Sequence, residues 1–185
     1  MKKIIALPGS LRKGSFNLAL LRAARELAPE GVEIEIASME GIPLYNGDDE
    51  DQSGVPAAVS ALKERIVAAD GLIIATPEYN HSIPGVLKNA IDWLTRPSGE
   101  ATRVFGDKPV AIVGASSGPI GTRLAQAAWL PVLRSLGTRP WFGSQMFVGP
   151  ADQVFDATGR LIDERLAARL AKFLSGFSGF IDGGR

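Results

Sequence analysis

Five short strand-like stretches alternate with helical patterns along this chain, and that alternation fixes most of what it can become. Residues 4–7 (Ile-Ile-Ala-Leu) and 71–75 (Gly-Leu-Ile-Ile-Ala) are continuous apolar runs, as expected of strands covered on both faces. Residues 109–114 form a third such run. Val32, Ile34 and Ile36 alternate with Glu33, Glu35 and Ala37, the pattern of a half-exposed strand near a sheet edge. Residues 141–148 read as the last strand, with Phe142, Met146, Phe147 and Val148 as its apolar content. Between them, residues 16–28, 55–69, 85–94, 122–136 and 161–173 carry apolar side chains at helical spacing. Leu18, Leu21, Ala24 and Ala28 mark the inner face of the first helix, and Ser15 is placed to cap it. Pro131 is expected to break or kink the fourth. Residues 39–54, with the run Asp48-Asp49-Glu50-Asp51, read as a long solvated loop rather than a metal site. Residues 96–108 read as another loop. Strand and helix alternating in this way imply an α/β fold built on a parallel sheet. With five strands the common order is 2-1-3-4-5, whose switch point lies between the first and third strands. No linker or repeat divides the chain, so residues 1–185 are expected to form a single domain.

Charge and composition remove several functions. Lysine plus arginine number 20 and aspartate plus glutamate number 20, so no overall basic field draws nucleic acid or an anionic membrane. Cysteine is absent, which excludes disulfides, thiol nucleophiles and cysteine metal sites. His81 is the sole histidine, too few for a histidine-rich metal centre. The five apolar residues before Pro8 are too short for a signal peptide, and no run approaches the ~18 apolar residues of a membrane span. A cytoplasmic protein is the expectation.

In the order 2-1-3-4-5, the loops after the first, third and fourth strands meet at one sheet edge. The first, residues 9–17, holds what an anion needs. Ser10 and Ser15 offer hydroxyls, Asn17 an amide and Arg12 a guanidinium, and a helix amino terminus lies behind them. Neither the Walker pattern nor G-x-G-x-x-G occurs, which disfavours an NTPase and a standard dinucleotide fold. The second loop, residues 76–85 (Thr-Pro-Glu-Tyr-Asn-His-Ser-Ile-Pro-Gly), is braced by two prolines. A stiff polar loop with an aromatic in it suits a flat ligand whose edge needs backbone hydrogen bonds. The third is the small-residue stretch 115–121.

These loops resemble those of the NAD(P)H-dependent FMN reductases. Gly9-Ser10-Leu11-Arg12-Lys13-Gly14-Ser15-Phe16-Asn17 is similar to that family's G-S-x-R-x-x-S-x-N phosphate loop, and Pro77-Glu78-Tyr79-Asn80, Ser82 and Pro84-Gly85 to its P-E-Y-N-x-S-x-P-G loop. Residues 87–93 and the turn Asp156-x-x-Gly159-x-Leu161 extend the match, and the chromate- and quinone-reducing branch looks nearest. The resemblance implies a flavodoxin-like three-layer sandwich binding FMN noncovalently. Ser10, Arg12, Ser15, Phe16 and Asn17 would hold the phosphate. Pro77, Glu78, Tyr79, Asn80 and Ser82 would line the isoalloxazine, largely through main-chain groups, with the N–H groups of Tyr79 and Asn80 near N1. Ser116, Ser117 and Gly118 would flank its other side. NADPH or NADH would be the electron donor, and a quinone, chromate, azo dye or flavin the acceptor. No side-chain acid or base is required. Glu78 is expected to turn away or to form a pair, since a carboxylate beside a flavin opposes its reduction. A homodimer or homotetramer is implied, with helix 85–94 as a candidate contact. The rival is a flavodoxin-type electron carrier that does not oxidise NAD(P)H; such carriers are typically acidic and lack the arginine.

Overall fold

The continuous apolar runs become the buried centre of a parallel sheet in the computed structural model, which describes residues 1–183. The strands are β1 (Lys2–Pro8), β2 (Val32–Ile36), β3 (Gly71–Ala75), β4 (Pro109–Ala115), β5 (Arg139–Pro140) and β6 (Met146–Val148). Their order is β2-β1-β3-β4-β5, with β6 also on β4, and every pairing is parallel. The expected order 2-1-3-4-5 therefore holds. β2 is the edge strand, as its alternation requires: Ile34 is buried while Glu33 is exposed.

Side chains alternate across a strand, so each central strand feeds two cores. Ile4, Ala6 and Ile73 point to one side, against α1 (Phe16–Glu26) and α7 (Glu164–Asp182). Ile5, Leu7, Leu72 and Ile74 point to the other. There they meet α3 (Ala57–Val67), α4 (Gly85–Leu94), α5 (Glu100–Phe105) and α6 (Arg123–Ser135). The result is the three-layer sandwich. The short helix α2 (Gly47–Ser53) precedes α3.

Several sequence expectations change. The acidic run is not a solvated loop. Asn46 caps α2, accepting from the Asp48 N–H at 3.1 Å, and three acidic residues in the first turn suit the positive end of the helix. Glu50 is tucked in, accepting from Tyr45 Oη at 3.0 Å and from Arg96 Nε at 2.7 Å. Residues 96–108 contain α5, whose Val104 and Phe105 are buried; six residues are too few to display a period. The last strand is interrupted. Trp141 N donates to Val110 O at 2.8 Å, and its ring then turns to pack edge-on against Phe173 at 4.7 Å. The chain leaves the sheet and returns at Met146. Helix α6 runs on through Pro131 instead of breaking, and α7 extends to Asp182, well past residue 173. The inner face of α1 centres on Leu20, Ala23 and Ala24, while Leu18 is half-buried.

A polar network ties the α3–α5 layer together. Arg103 reaches Glu64 at 2.7 Å and Glu100 at 2.7 Å, and Lys63 meets Glu100 at 3.2 Å and the Arg96 carbonyl. The Arg103 hydrogen bond, against some burial and with help from Lys63, holds the Glu100 carboxyl down at about 2. A depressed carboxyl stabilises the fold above its unfolded value of 4.5 and loses that contribution as pH falls toward about 2. Thermal melts across this window should show a falling midpoint, and Arg103→Met should flatten that fall. An unchanged slope in the variant would remove this network as its cause.

Candidate functional site

Three loops meet above the carboxyl ends of β1, β3 and β4 because two glycines let them. Gly9 N donates to Ala75 O at 2.7 Å. A Cβ on Gly9 would lie 2.7 Å from Pro77 Cδ and 2.8 Å from the Ala75 carbonyl oxygen. A Cβ on Gly114 would come within 2.5 Å of the Thr76 carbonyl oxygen. The buried Asn17 amide then spans from α1 to β4, donating to Ala115 O at 2.9 Å and accepting from Ala115 N at 3.0 Å. Ser10 Oγ stands 3.4 Å from Tyr79 Oη. The arginine loop and the tyrosine loop are thus neighbours at one sheet edge.

The first loop gathers groups able to hold an anion. Ser15 caps α1, its hydroxyl accepting from Leu18 N at 3.3 Å, as its position predicts. Phe16 and Asn17 occupy the first two helical positions, where N–H groups have no intrahelical acceptor and carry the positive end of the dipole. The Phe16 ring stacks on Phe155 at 6.3 Å, so its contribution to a ligand is the main-chain N–H. Ser10 Oγ accepts from Arg12 N at 3.2 Å. The Arg12 side chain is exposed and has no ion pair among the described residues. Asn17 is mostly committed to Ala115, which leaves one amide hydrogen for a ligand.

The second loop is a tight hairpin. Tyr79 N donates to Ser82 O at 3.3 Å and Ser82 N to Tyr79 O at 3.1 Å. Asn80 and His81 sit at the tip with φ of 50° and 62°, the left-handed pair of a type I′ turn. The Tyr79 N–H is therefore spent inside the hairpin and is not a donor to a ligand, contrary to the sequence expectation. The Asn80 N–H has no acceptor among the described residues. Glu78 turns away into a structural role: its Oε2 accepts from Leu124 N at 2.8 Å and Ala125 N at 3.0 Å, at the amino terminus of α6. Thr76, fully buried at the base of the loop, accepts from Trp129 Nε1 at 3.1 Å and donates to Pro77 O at 2.9 Å. Pro77 is buried beside Gly9.

In the third loop, Ser116 N donates to Val148 O at 3.0 Å and its hydroxyl to Gly121 O at 2.9 Å. Ser116 shapes the loop, while Ser117 and Gly118 are its exposed part. Two features escaped the sequence reading. One is the need for Gly9 and Gly114, whose signal is a glycine just past, or near the end of, a strand beside the switch point. The other is that the Asp156–Gly159 turn walls a cleft of about 480 Å³ against Arg12–Phe16. A hollow of similar size, about 490 Å³, lies by the interrupted last strand and holds none of the expected site residues; size does not pick out this site.

The donor set suits a phosphorylated flat ring. It has an uncommitted guanidinium and free helix N–H groups at one end, and a stiff hairpin with an exposed aromatic at the other. The fold is that of a flavodoxin-like protein, and its relatives make it an FMN oxidoreductase that uses NAD(P)H as donor. The sequence pattern described as NADPH-dependent FMN reductase matches residues 2–153, and the chain belongs to that family. It is 47% identical over 163 residues to an NAD(P)H-dependent FMN reductase of Pseudomonas aeruginosa, covering 88% of this chain and 86% of that one. It is 39% identical to a 2-hydroxy-1,4-benzoquinone reductase of a Burkholderia species, over 97% of this chain and 96% of the other. The solved structure of a flavoenzyme NAD(P)H:(acceptor) oxidoreductase from Paracoccus denitrificans superposes with a TM-score of 0.88 at 35% identity, covering 100% and 99% of the two chains.

Proposed function

We propose that this protein reduces quinones at the expense of NADPH or NADH, with FMN seated across the three loops. Bound FMN supplies the redox chemistry, taking a hydride from the nicotinamide and returning two electrons to the acceptor. The chain's own residues bind and orient. Arg12 and Ser10, the Ser15 hydroxyl, the N–H groups of Phe16 and Asn17 and the spare Asn17 amide hydrogen hold the phosphate. The Asn80 N–H supplies a fixed dipole for the negative charge that reduction brings. Pro77, Tyr79 and Ser82 form the ledge under the ring, with Glu78 fixing that ledge to α6, and Ser116, Ser117 and Gly118 close its other side. The observation that carries this reading is the contact between the arginine and tyrosine loops, Ser10 to Tyr79. The quinone acceptor rests on the benzoquinone-reducing relative.

The protein assembles as a homodimer or homotetramer in the cytoplasm. Support for assembly is the exposed Leu44 and Tyr45 beside α4, where Asn89 accepts from Tyr45 N at 2.9 Å. No helix among the described residues is long and apolar enough to cross a membrane. Anaerobic addition of NADPH to the yellow holoprotein should bleach the flavin absorbance, and a benzoquinone should restore it. Failure to bleach with either nicotinamide would turn the reading to a flavodoxin-type electron carrier.

A further inference from the structure

His81 sits at the tip of the hairpin that carries Tyr79 and Asn80, and its place there is built rather than incidental. Its φ of 62° is set by the type I′ turn. Its Nδ1 stands 3.4 Å from Glu78 Oε1. That carboxylate is itself held: its other oxygen accepts two N–H groups from the start of α6, at 2.8 and 3.0 Å. The helix dipole favours a negative charge there. Glu78 thus uses one oxygen to anchor to a rigid helix and presents the other to the imidazole. A carboxylate facing Nδ1 assigns a proton to that nitrogen, which leaves Nε2 as the outward group. The imidazole is 82% exposed. Among the described residues Glu78 is its one charged contact. Of the other charged groups on the adjoining elements, Arg12 and Lys13 on the first loop, Lys88 and Asp92 on α4, and Arg123 and Arg134 on α6, none forms an ion pair with it among the described residues.

We propose that His81 is the proton donor to the acceptor, and that Glu78 is its positioning residue. This rests on the placement of FMN given above. Reduction of a quinone to its hydroquinone takes two electrons and two protons. Bound FMN would supply the electron pair and one proton as a hydride equivalent. The second proton passes from His81 Nε2 to the acceptor's carbonyl oxygen, where an O–H bond forms as the C=O π bond is lost. The neutral imidazole then recovers a proton from water. His81 stands on the hairpin that forms the ledge with its imidazole open to an acceptor bound there, and Glu78 fixes the ring through Nδ1.

The test compares two acceptors on the FMN-loaded protein. Ferricyanide takes one electron and no proton, so it reports electron delivery alone. His81→Asn suits the position because asparagine tolerates a left-handed φ; His81→Gln is the second variant. FMN content and the rate of flavin bleaching by NADPH are measured in each. The expected result is a fall of about a hundredfold in kcat for benzoquinone, at the lower end of what general acids contribute. Ferricyanide reduction should fall far less, and added imidazole should restore part of the quinone rate. Glu78→Gln keeps an oxygen acceptor for α6, and it should show the same selective loss at smaller size. Equal rates for both acceptors relative to the unaltered protein, or equal losses for both without imidazole rescue, would overturn the proposal. Loss of FMN or of bleaching in the unaltered protein would instead overturn the seating of the flavin.

Discussion

Arg12→Ala weakens FMN binding by roughly 10- to 150-fold and leaves the fold unchanged. The size follows from the hydrogen bonds that a guanidinium makes to a charged group, worth about 1.5–3 kcal/mol in net terms. The intact fold follows from exposure: Arg12 is on the surface with no ion pair among the described residues, so its removal strands no buried partner. Fluorescence titration of the apoprotein with FMN measures the first, and thermal melts of the apoprotein the second. An affinity within twofold of the unaltered protein would place the phosphate elsewhere. A lowered apoprotein melting point would show that Arg12 does structural work the geometry does not display.

Asn17→Ala should act the other way round, striking stability first. The Asn17 side chain is buried, and its amide satisfies both the N–H and the C=O of Ala115. Truncation leaves two buried backbone groups unpaired, each costing about 1–3 kcal/mol. A combined loss of about 3 kcal/mol corresponds to a melting point lowered by roughly 6–12 °C for a chain of this size. FMN affinity should fall as well, because the same amide clamps the phosphate loop to β4. Asn17→Asp separates the two effects. It keeps the acceptor for Ala115 N but brings a negative charge beside a phosphate, so its affinity loss should exceed its stability loss. An Asn17→Ala variant with an unshifted melting point would mean that water replaces both bonds at no cost.

The parts of this protein legible in the sequence are those set by local pattern. The run Ile4–Leu7 is apolar at every position because both faces of β1 are covered, and Val32–Ile36 alternates because β2 is an edge. Helix α4 spans residues 85–94 as read, started by Pro84 and carried by Leu87, Ala90, Ile91 and Leu94. The cap on α1 was readable in Ser15, and the turning away of Glu78 followed from its charge. Parts missed were those whose cause lies far along the chain. Glu50 looked like one of four solvated acids because Arg96 is distant in sequence. The last strand looked unbroken because nothing near Trp141 announces that its ring will pack against Phe173. The Tyr79 N–H looked free because the hairpin back to Ser82 depends on the left-handed pair Asn80-His81, without the glycine that usually marks such a turn.

The sequence by itself determined the layering, the strand order and the donor groups of the loop at residues 9–17, since burial periodicity and helix capping are written within a few neighbouring residues. Only the tertiary structure decided which donors stay free, because a hydrogen-bonding group is available to a ligand only if folding has not already paired it. That accounting sums over contacts between residues as distant as Asn17 and Ala115, or Glu78 and Leu124.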